Sequence, residues 1–262
     1  MLIRFLLLTL GFSLLASGQA KRDPYRYVRF LAVGNEPRFV PKLVNKVIVM
    51  QPSRPGEAPP RLVSAKSEVP QINPLEIHRS KFSRFVAFGP KVDRIELTEG
   101  ETSGGKKWYA AAVPKLQRSL AVLYRDHKTL NWFTTKSLIL KDDATTFPLG
   151  SARWVNVSDR MVKLTFITQK KGQRPKKREL GLPSGKSLVM KIGADGTTLK
   201  VEVPVRGKEP VFVSSQRIQV DKDRRHNVIF YKDGKPGSQK PLVFDESEKL
   251  PALPKLPKLE EK

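Results

Sequence analysis

Tyr27-Val28-Arg29-Phe30-Leu31-Ala32-Val33 is an apolar run broken by one arginine, and Ala152-Arg153-Trp154-Val155-Asn156-Val157 echoes its form. In the first run Tyr27, Arg29, Leu31 and Val33 alternate with Val28, Phe30 and Ala32, a period of two that points to a β-strand. Two more segments recur in the same order. Ser83-Arg84-Phe85-Val86-Ala87-Phe88-Gly89 parallels Ser187-Leu188-Val189-Met190-Lys191-Ile192-Gly193, and Leu120-Ala121-Val122-Leu123-Tyr124-Arg125-Asp126-His127-Lys128 parallels Val228-Ile229-Phe230-Tyr231-Lys232-Asp233-Gly234-Lys235. Three matches in one order predict two copies of one domain.

Short runs rich in valine, isoleucine and aromatic residues fill the space around these matches. They predict strands at residues 46–50, 82–88, 94–97, 106–112, 119–124 and 137–140 in the first copy. Residues 160–168, 186–192, 198–203, 211–219, 226–231 and 241–244 follow in the second. Gly100, Gly104-Gly105, Asp195-Gly196 and Asp233-Gly234 mark turns between them. No window holds a clean helical stripe, so the fold class expected is all-β, as two tandem antiparallel β-sandwich domains of similar fold. The domains are expected at residues 25–141 and 150–245, with a break in Lys141-Asp142-Asp143-Ala144-Thr145-Thr146 and Pro148-Leu149-Gly150.

The copies differ in length. From Arg29 to Ser83 is 54 residues, from Arg153 to Ser187 only 34. The surplus holds Gln51-Pro52-Ser53-Arg54-Pro55-Gly56-Glu57-Ala58-Pro59-Pro60, which lacks too many amide donors for a central strand and is expected as a stiff surface loop. The second copy carries Gln169-Lys170-Lys171-Gly172-Gln173-Arg174-Pro175-Lys176-Lys177-Arg178, expected as an elaborated hairpin tip at a corresponding point. Lys170, Lys171, Arg174, Lys176, Lys177 and Arg178 are its basic residues and the candidate site for an anionic ligand. Insertions at matching points of repeated units lie on one side, often the binding side, though a basic tip can equally be only solvated.

The chain opens with one arginine, an apolar run from Phe5 to Ala16 and the small residues Gly18 and Ala20, the pattern of a secretory signal peptide over residues 1–20. The run is shorter than the roughly 20 residues that span a bilayer, and no second span follows. Without cysteine there is neither a disulfide nor an acylated anchor, so the expected location is periplasmic or extracellular. Residues 246–262 form a tail in which Leu250-Pro251-Ala252-Leu253-Pro254-Lys255-Leu256-Pro257-Lys258-Leu259 repeats every three residues. That is the polyproline II period, suited to docking on an aromatic groove or to a solvated spacer.

Forty-nine basic residues against 25 acidic give a net charge of +24, and 39% of the chain is apolar, enough to build cores. So large an excess attracts polyanions. Export makes nucleic acid an unlikely partner, leaving an anionic envelope polymer or an acidic protein.

The second copy resembles the small β-sandwich repeats of uncharacterised secreted bacterial proteins. These open on an arginine-hydrophobic-x-asparagine strand, here Arg153-Trp154-Val155-Asn156, and close on a strand ending in a glycine turn, here Val228-Ile229-Phe230-Tyr231-Lys232-Asp233-Gly234. The resemblance spans residues 151–235 and implies fold and export, with no catalytic residues. The first copy departs from it at Ala32 and His127, which stand where Asn156 and Gly234 do.

Catalytic patterns are incomplete. Gly181-Leu182-Pro183-Ser184-Gly185-Lys186-Ser187 lacks the first glycine of a phosphate loop, since position 180 is leucine. Ser103-Gly104-Gly105-Lys106 has a serine–lysine spacing but sits in a turn. His78, His127 and His226 are widely spaced, so no metal and no cofactor are expected. Asn156-Val157-Ser158 is a glycosylation sequon. Lys106-Lys107-Trp108-Tyr109 and Trp132-Phe133 are candidates for stacking on sugars or for core packing. The expectation is an exported, non-enzymatic protein that binds an anionic polymer or acidic partner. The alternatives are a structural subunit of a cell-envelope assembly and a hydrolase.

Overall fold

The computed structural model describes residues 24–254 apart from 55, 68–73, 80, 103, 130, 170–171, 193–196, 233 and 235–237. The expected leader, the tail beyond residue 254, Lys170, Lys171 and the Asp195-Gly196 turn lie outside the described residues. Among the described residues there are only strands and turns, and no helix is long and apolar enough to cross a membrane.

The first half runs β1 (Arg26–Val33), β2 (Phe39–Val44), β3 (Val47–Pro52), β4 (Leu62–Ala65), β5 (Leu75–Glu76), β6 (Val86–Phe88), β7 (Arg94–Glu99), β8 (Lys107–Ala112), β9 (Arg118–Arg125) and β10 (Thr135–Lys141). The second runs β11 (Ser151–Val157), β12 (Val162–Thr168), β13 (Lys176–Leu182), β14 (Lys186–Lys191), β15 (Thr197–Val205), β16 (Lys208–Ile218), β17 (Arg225–Tyr231) and β18 (Leu242–Glu248). In the first half the sheets are β10-β9-β1-β6 and β5-β4-β7-β8. In the second they are β18-β17-β11-β14 and β13-β12-β15-β16. With the separate hairpin β2–β3 set aside, the two halves correspond strand for strand.

The correspondence extends to register. Arg29 pairs with Leu120 as Arg153 pairs with Asn227, Val33 with Tyr124 as Val157 with Tyr231, and Val28 with Val86 as Ala152 with Met190. The ladders are antiparallel except β1–β9 and β11–β17, which are parallel. Alternation of side chains is the same in both kinds of ladder, so sequence cannot distinguish them.

β1, β9, β11 and β17 are buried on both faces. Val28, Phe30, Ala32, Ala121 and Leu123 point into the first sandwich, and Trp154, Val228 and Phe230 into the second. The opposite faces of these strands meet: Leu31, Val33, Leu120, Val122 and Leu140 pack against Val155, Val157 and Ile229. The molecule is therefore four sheets deep, with the two matching inner sheets meeting in an apolar seam. A strand covered on both sides needs apolar residues at consecutive positions, which is why Leu120-Ala121-Val122-Leu123 shows no polar alternation.

Four expectations change. The tail expected from residue 246 begins only after Glu248, because residues 246–248 complete β18 by pairing with residues 225–227 of β17. The strand expected over residues 82–88 is only β6, because the Ser83 amide donates to the Phe30 carbonyl while the Ser83 hydroxyl accepts from the Phe30 amide, a side chain standing in for a ladder bond. The proline-rich stretch is not all loop: Gln51 and Pro52 close β3, and beyond them Gly56 lies under the Phe133 ring at φ +77°, its carbonyl accepting from the Trp132 amide at 2.9 Å. The basic segment and this loop do not occupy corresponding points. The long insertion separates β1 from β4, whereas the basic segment joins β12 to β13, one hairpin later.

Candidate functional site

The basic segment begins as a turn but continues as a strand. Thr168 pairs with Lys176 and Phe166 with Arg178, so Lys176, Lys177 and Arg178 stand on β13 and Arg174 precedes it. Leu180 and Leu182, two and four residues beyond Arg178, reach into the second core, a period-two signal in Glu179-Leu180-Gly181-Leu182 that reveals the strand. Lys176 and Arg178 share that inward face, near the open end of the sheet where they remain exposed. Lys177 turns outward to Glu179 at 2.7 Å, and Lys163 holds the same carboxylate at 2.9 Å. Hydrogen bonds from these two lysines bring the Glu179 pKa down to about 2. Lys177 is thus already ion-paired. Arg174, Lys176 and Arg178 have no partner among the described residues.

The structure adds two cations. β13 and β14 are edge strands of opposite sheets, and the turn at residues 183–185 connects them, so both edges open on one side of the second sandwich. Exposed Lys186 and Lys191, at the two ends of β14 and on opposite faces of it, line the same side as Arg174, Lys176 and Arg178. Sequence reasoning missed this pair because closeness across sheets is not a property of spacing along the chain. The same turn disposes of the phosphate-loop likeness: Gly181 to Ser187 is strand, turn and strand, with no helix terminus to supply amide donors.

A second charge cluster is buried in the seam. Asp142 follows β10 as Glu248 ends β18: the Asp142 amide donates to the Arg118 carbonyl, and Glu248 pairs with the matching Arg225. Arg29 donates its Nε to Asp142 at 2.6 Å and both terminal nitrogens to Glu248 at 2.5 and 2.6 Å. Arg153 donates to Asp142 at 3.1 Å and to Asn227 at 2.8 and 3.0 Å, and Arg225 to Glu248 at 3.1 Å. The matched arginine of each half thus grips the acid of the other. Phe82 lies 4.3 Å from the Arg29 guanidinium, and Phe147 lies 4.2 and 4.7 Å from those of Arg153 and Arg225, covering them with ring faces.

Burial alone would push the Asp142 carboxyl up, but the charges of Arg29, Arg153 and Arg225 outweigh it and hold the pKa below the ordinary value. Burial lowers the Arg153 pKa to about 10, with Asp142 opposing and the other two arginines assisting, so it stays protonated at neutral pH. These groups are occupied with one another. Their hydrogen bonds run between the two halves.

The aromatic candidates divide. Trp108 and Trp132 are buried, the Trp108 indole donating to the Trp132 carbonyl at 3.0 Å, and the buried Tyr109 hydroxyl donates to Ser137 at 2.8 Å. These belong to the first core. Phe133 is exposed beside a recess lined by Pro52, Gly56, Pro59 and Trp108, with the Lys106 ammonium 5.6 Å from its ring. The histidines lie apart, His78 on Glu76, His127 stacked on Tyr124 and His226 on Asp245.

Asn156 is fully buried and donates to the carbonyls of Arg160 at 2.7 Å and Leu182 at 2.8 Å, while its oxygen accepts from the Ser158 amide and hydroxyl. The sequon asparagine therefore pins the β11–β12 turn to the end of β13. Asn156→Ala is expected to cost about 2 kcal/mol, since it strands buried carbonyls and a serine, and urea unfolding measures the loss. Mass analysis of protein from a glycosylating host is expected to find the asparagine of the folded chain unmodified. Compared with protein-family models and with curated proteins, the chain matches none.

Proposed function

We propose that the protein is an exported, non-catalytic binding protein that engages an anionic envelope polymer or an acidic partner protein through the basic edge of its second sandwich. The observation that carries this reading is the placing of Arg174, Lys176, Arg178, Lys186 and Lys191 on or beside the two neighbouring edge strands of the second sandwich, all exposed and without carboxylate partners among the described residues. Cations fixed on paired strands need little ordering when a polyanion arrives. Each anionic group they neutralise releases a condensed counterion, so affinity falls steeply with salt.

The rival reading, a structural subunit joined through its tail, has less support. Leu253, in the described stretch 250–254 of the tail's repeat, packs against Tyr27, Phe85 and Ala87 of the same chain.

The test replaces these five residues together by serine and compares retention on immobilised heparin and lipopolysaccharide. Melting is expected to be unchanged, because none of the five is buried. Affinity at physiological salt is expected to fall at least tenfold, and the slope of log K against log salt to flatten by roughly one for each anionic group no longer neutralised. Equal affinity with an equal slope would remove the edge from consideration.

A further inference from the structure

The hairpin β2–β3 takes no part in either sandwich. Its strands pair only with each other, and Asn45 and Lys46 turn the chain at φ 49° and 64°. Cross-strand partners share a face, so register sorts its side chains. Phe39 opposes Pro52, Pro41 opposes Met50 and Leu43 opposes Ile48, which makes one face entirely apolar. Leu43 and Ile48 are 72% and 71% exposed, Met50 57% and Phe39 47%. The other face carries Lys42, Gln51 and four valines. An isolated two-stranded ribbon is marginal in water, and one that leaves so much apolar surface open is built for a different surrounding.

Charge identifies that surrounding. Arg38, Lys42, Lys46 and Arg54 are exposed, none has a partner among the described residues, and no acidic residue lies between Glu36 and Glu57. A second copy of the chain seated on this face would set four cations against four. An anionic bilayer surface raises no such repulsion: acyl chains receive the apolar face, and lipid phosphates receive the cations around it.

We propose that β2–β3 docks on anionic lipid membranes, lying in the plane of the headgroup boundary with Phe39, Pro41, Leu43, Ile48 and Met50 toward the acyl chains. Six residues per strand give a ribbon about 17–20 Å long, which lies along a leaflet rather than crossing one. Lys42 and Lys46 reach back to the phosphates by their flexible stems. The site is separate from the basic edge of the second sandwich.

The experiment is flotation of the purified processed chain with vesicles of phosphatidylcholine alone or mixed with phosphatidylglycerol. Every described core residue lies at or beyond Tyr27, so a chain without the leader keeps its fold. Binding is expected to the phosphatidylglycerol vesicles and not to phosphatidylcholine alone, and Leu43→Ser with Ile48→Ser is expected to weaken it at least tenfold with unchanged melting. Trp108, Trp132 and Trp154 are buried, so the emission of an Ile48→Trp variant reports the hairpin, and a blue shift on adding vesicles is expected. The basic-edge variant is expected to keep that shift, which separates this proposal from the polyanion reading.

Four outcomes would overturn the proposal: no flotation of the wild type, equal binding to both vesicle types, undiminished binding by the serine variant, or a dimer in sedimentation that the serine variant abolishes.

Discussion

Asp142→Asn is expected to lower the stability of the folded chain by about 3–5 kcal/mol, the usual consequence of removing one partner from a buried ionic network. Asp142 is the shared acceptor of the seam: Arg29, Arg153 and Arg225 lie 2.6, 3.1 and 3.5 Å from its oxygens, and its side chain is fully buried. Asparagine keeps the shape but removes the negative charge, leaving three guanidiniums to share Glu248. Urea unfolding measures the loss through a lower midpoint at unchanged slope, and the exposed Asp93→Asn serves as control.

The same group sets an acid limit. Its folded pKa lies below its unfolded value, so the stability it contributes is complete above about pH 4, near the unfolded carboxylate value, and is lost as pH falls below that. The wild type is expected to lose stability below about pH 4 more steeply than Asp142→Asn, which no longer has that proton to take up. Parallel profiles, or a loss under about 1 kcal/mol at neutral pH, would mean that the seam's apolar residues hold the halves together without the clasp.

Ile229→Asp is expected to cost at least about 4 kcal/mol and to disconnect the halves. Ile229 is fully buried among Leu31, Val122, Val155 and Val157, with no cation of the clasp at its position on the strand, so a carboxylate there has no partner and must either remain a buried charge or take up a proton. Wild-type unfolding is expected as a single calorimetric transition, because the inner sheets share one apolar layer. The variant is expected either to yield no folded protein or to unfold in two steps, with Trp154 fluorescence and the signal of Trp108 and Trp132 no longer coincident. One transition at the wild-type temperature would show that each sandwich folds without support from the seam.

The two sandwiches are legible in the sequence because strand patterning is local. Tyr27 to Val33 and Ala152 to Val157 alternate on their own, and repetition of three segments in order requires the same architecture twice. The basic segment is legible as charge but not as shape. Lys176 and Arg178 read as loop along the chain because a run of cations masks the period-two signal that Leu180 and Leu182 carry. The hairpin is only half visible: Val47 to Met50 reads as a strand, whereas Pro41 and Lys42 disguise β2.

Other features are decided only in three dimensions. A lone arginine inside an apolar strand, found at both Arg29 and Arg153, signals a buried partner, but nothing along the chain says that the partners are Asp142 and Glu248. Arg29 and Glu248 are 219 residues apart, and they meet because two equivalent sheets pack face to face. The union of β13 and β14 into one basic edge, and the exposure of β2–β3 on both faces, likewise depend on which strands the sheets leave at their margins. Thus sequence by itself determined most of the strands, the duplication and the excess of positive charge, all properties of neighbours along the chain. Tertiary structure decided which faces met and which stayed in water, because burial and long-range pairing depend on packing between segments that sequence order leaves far apart.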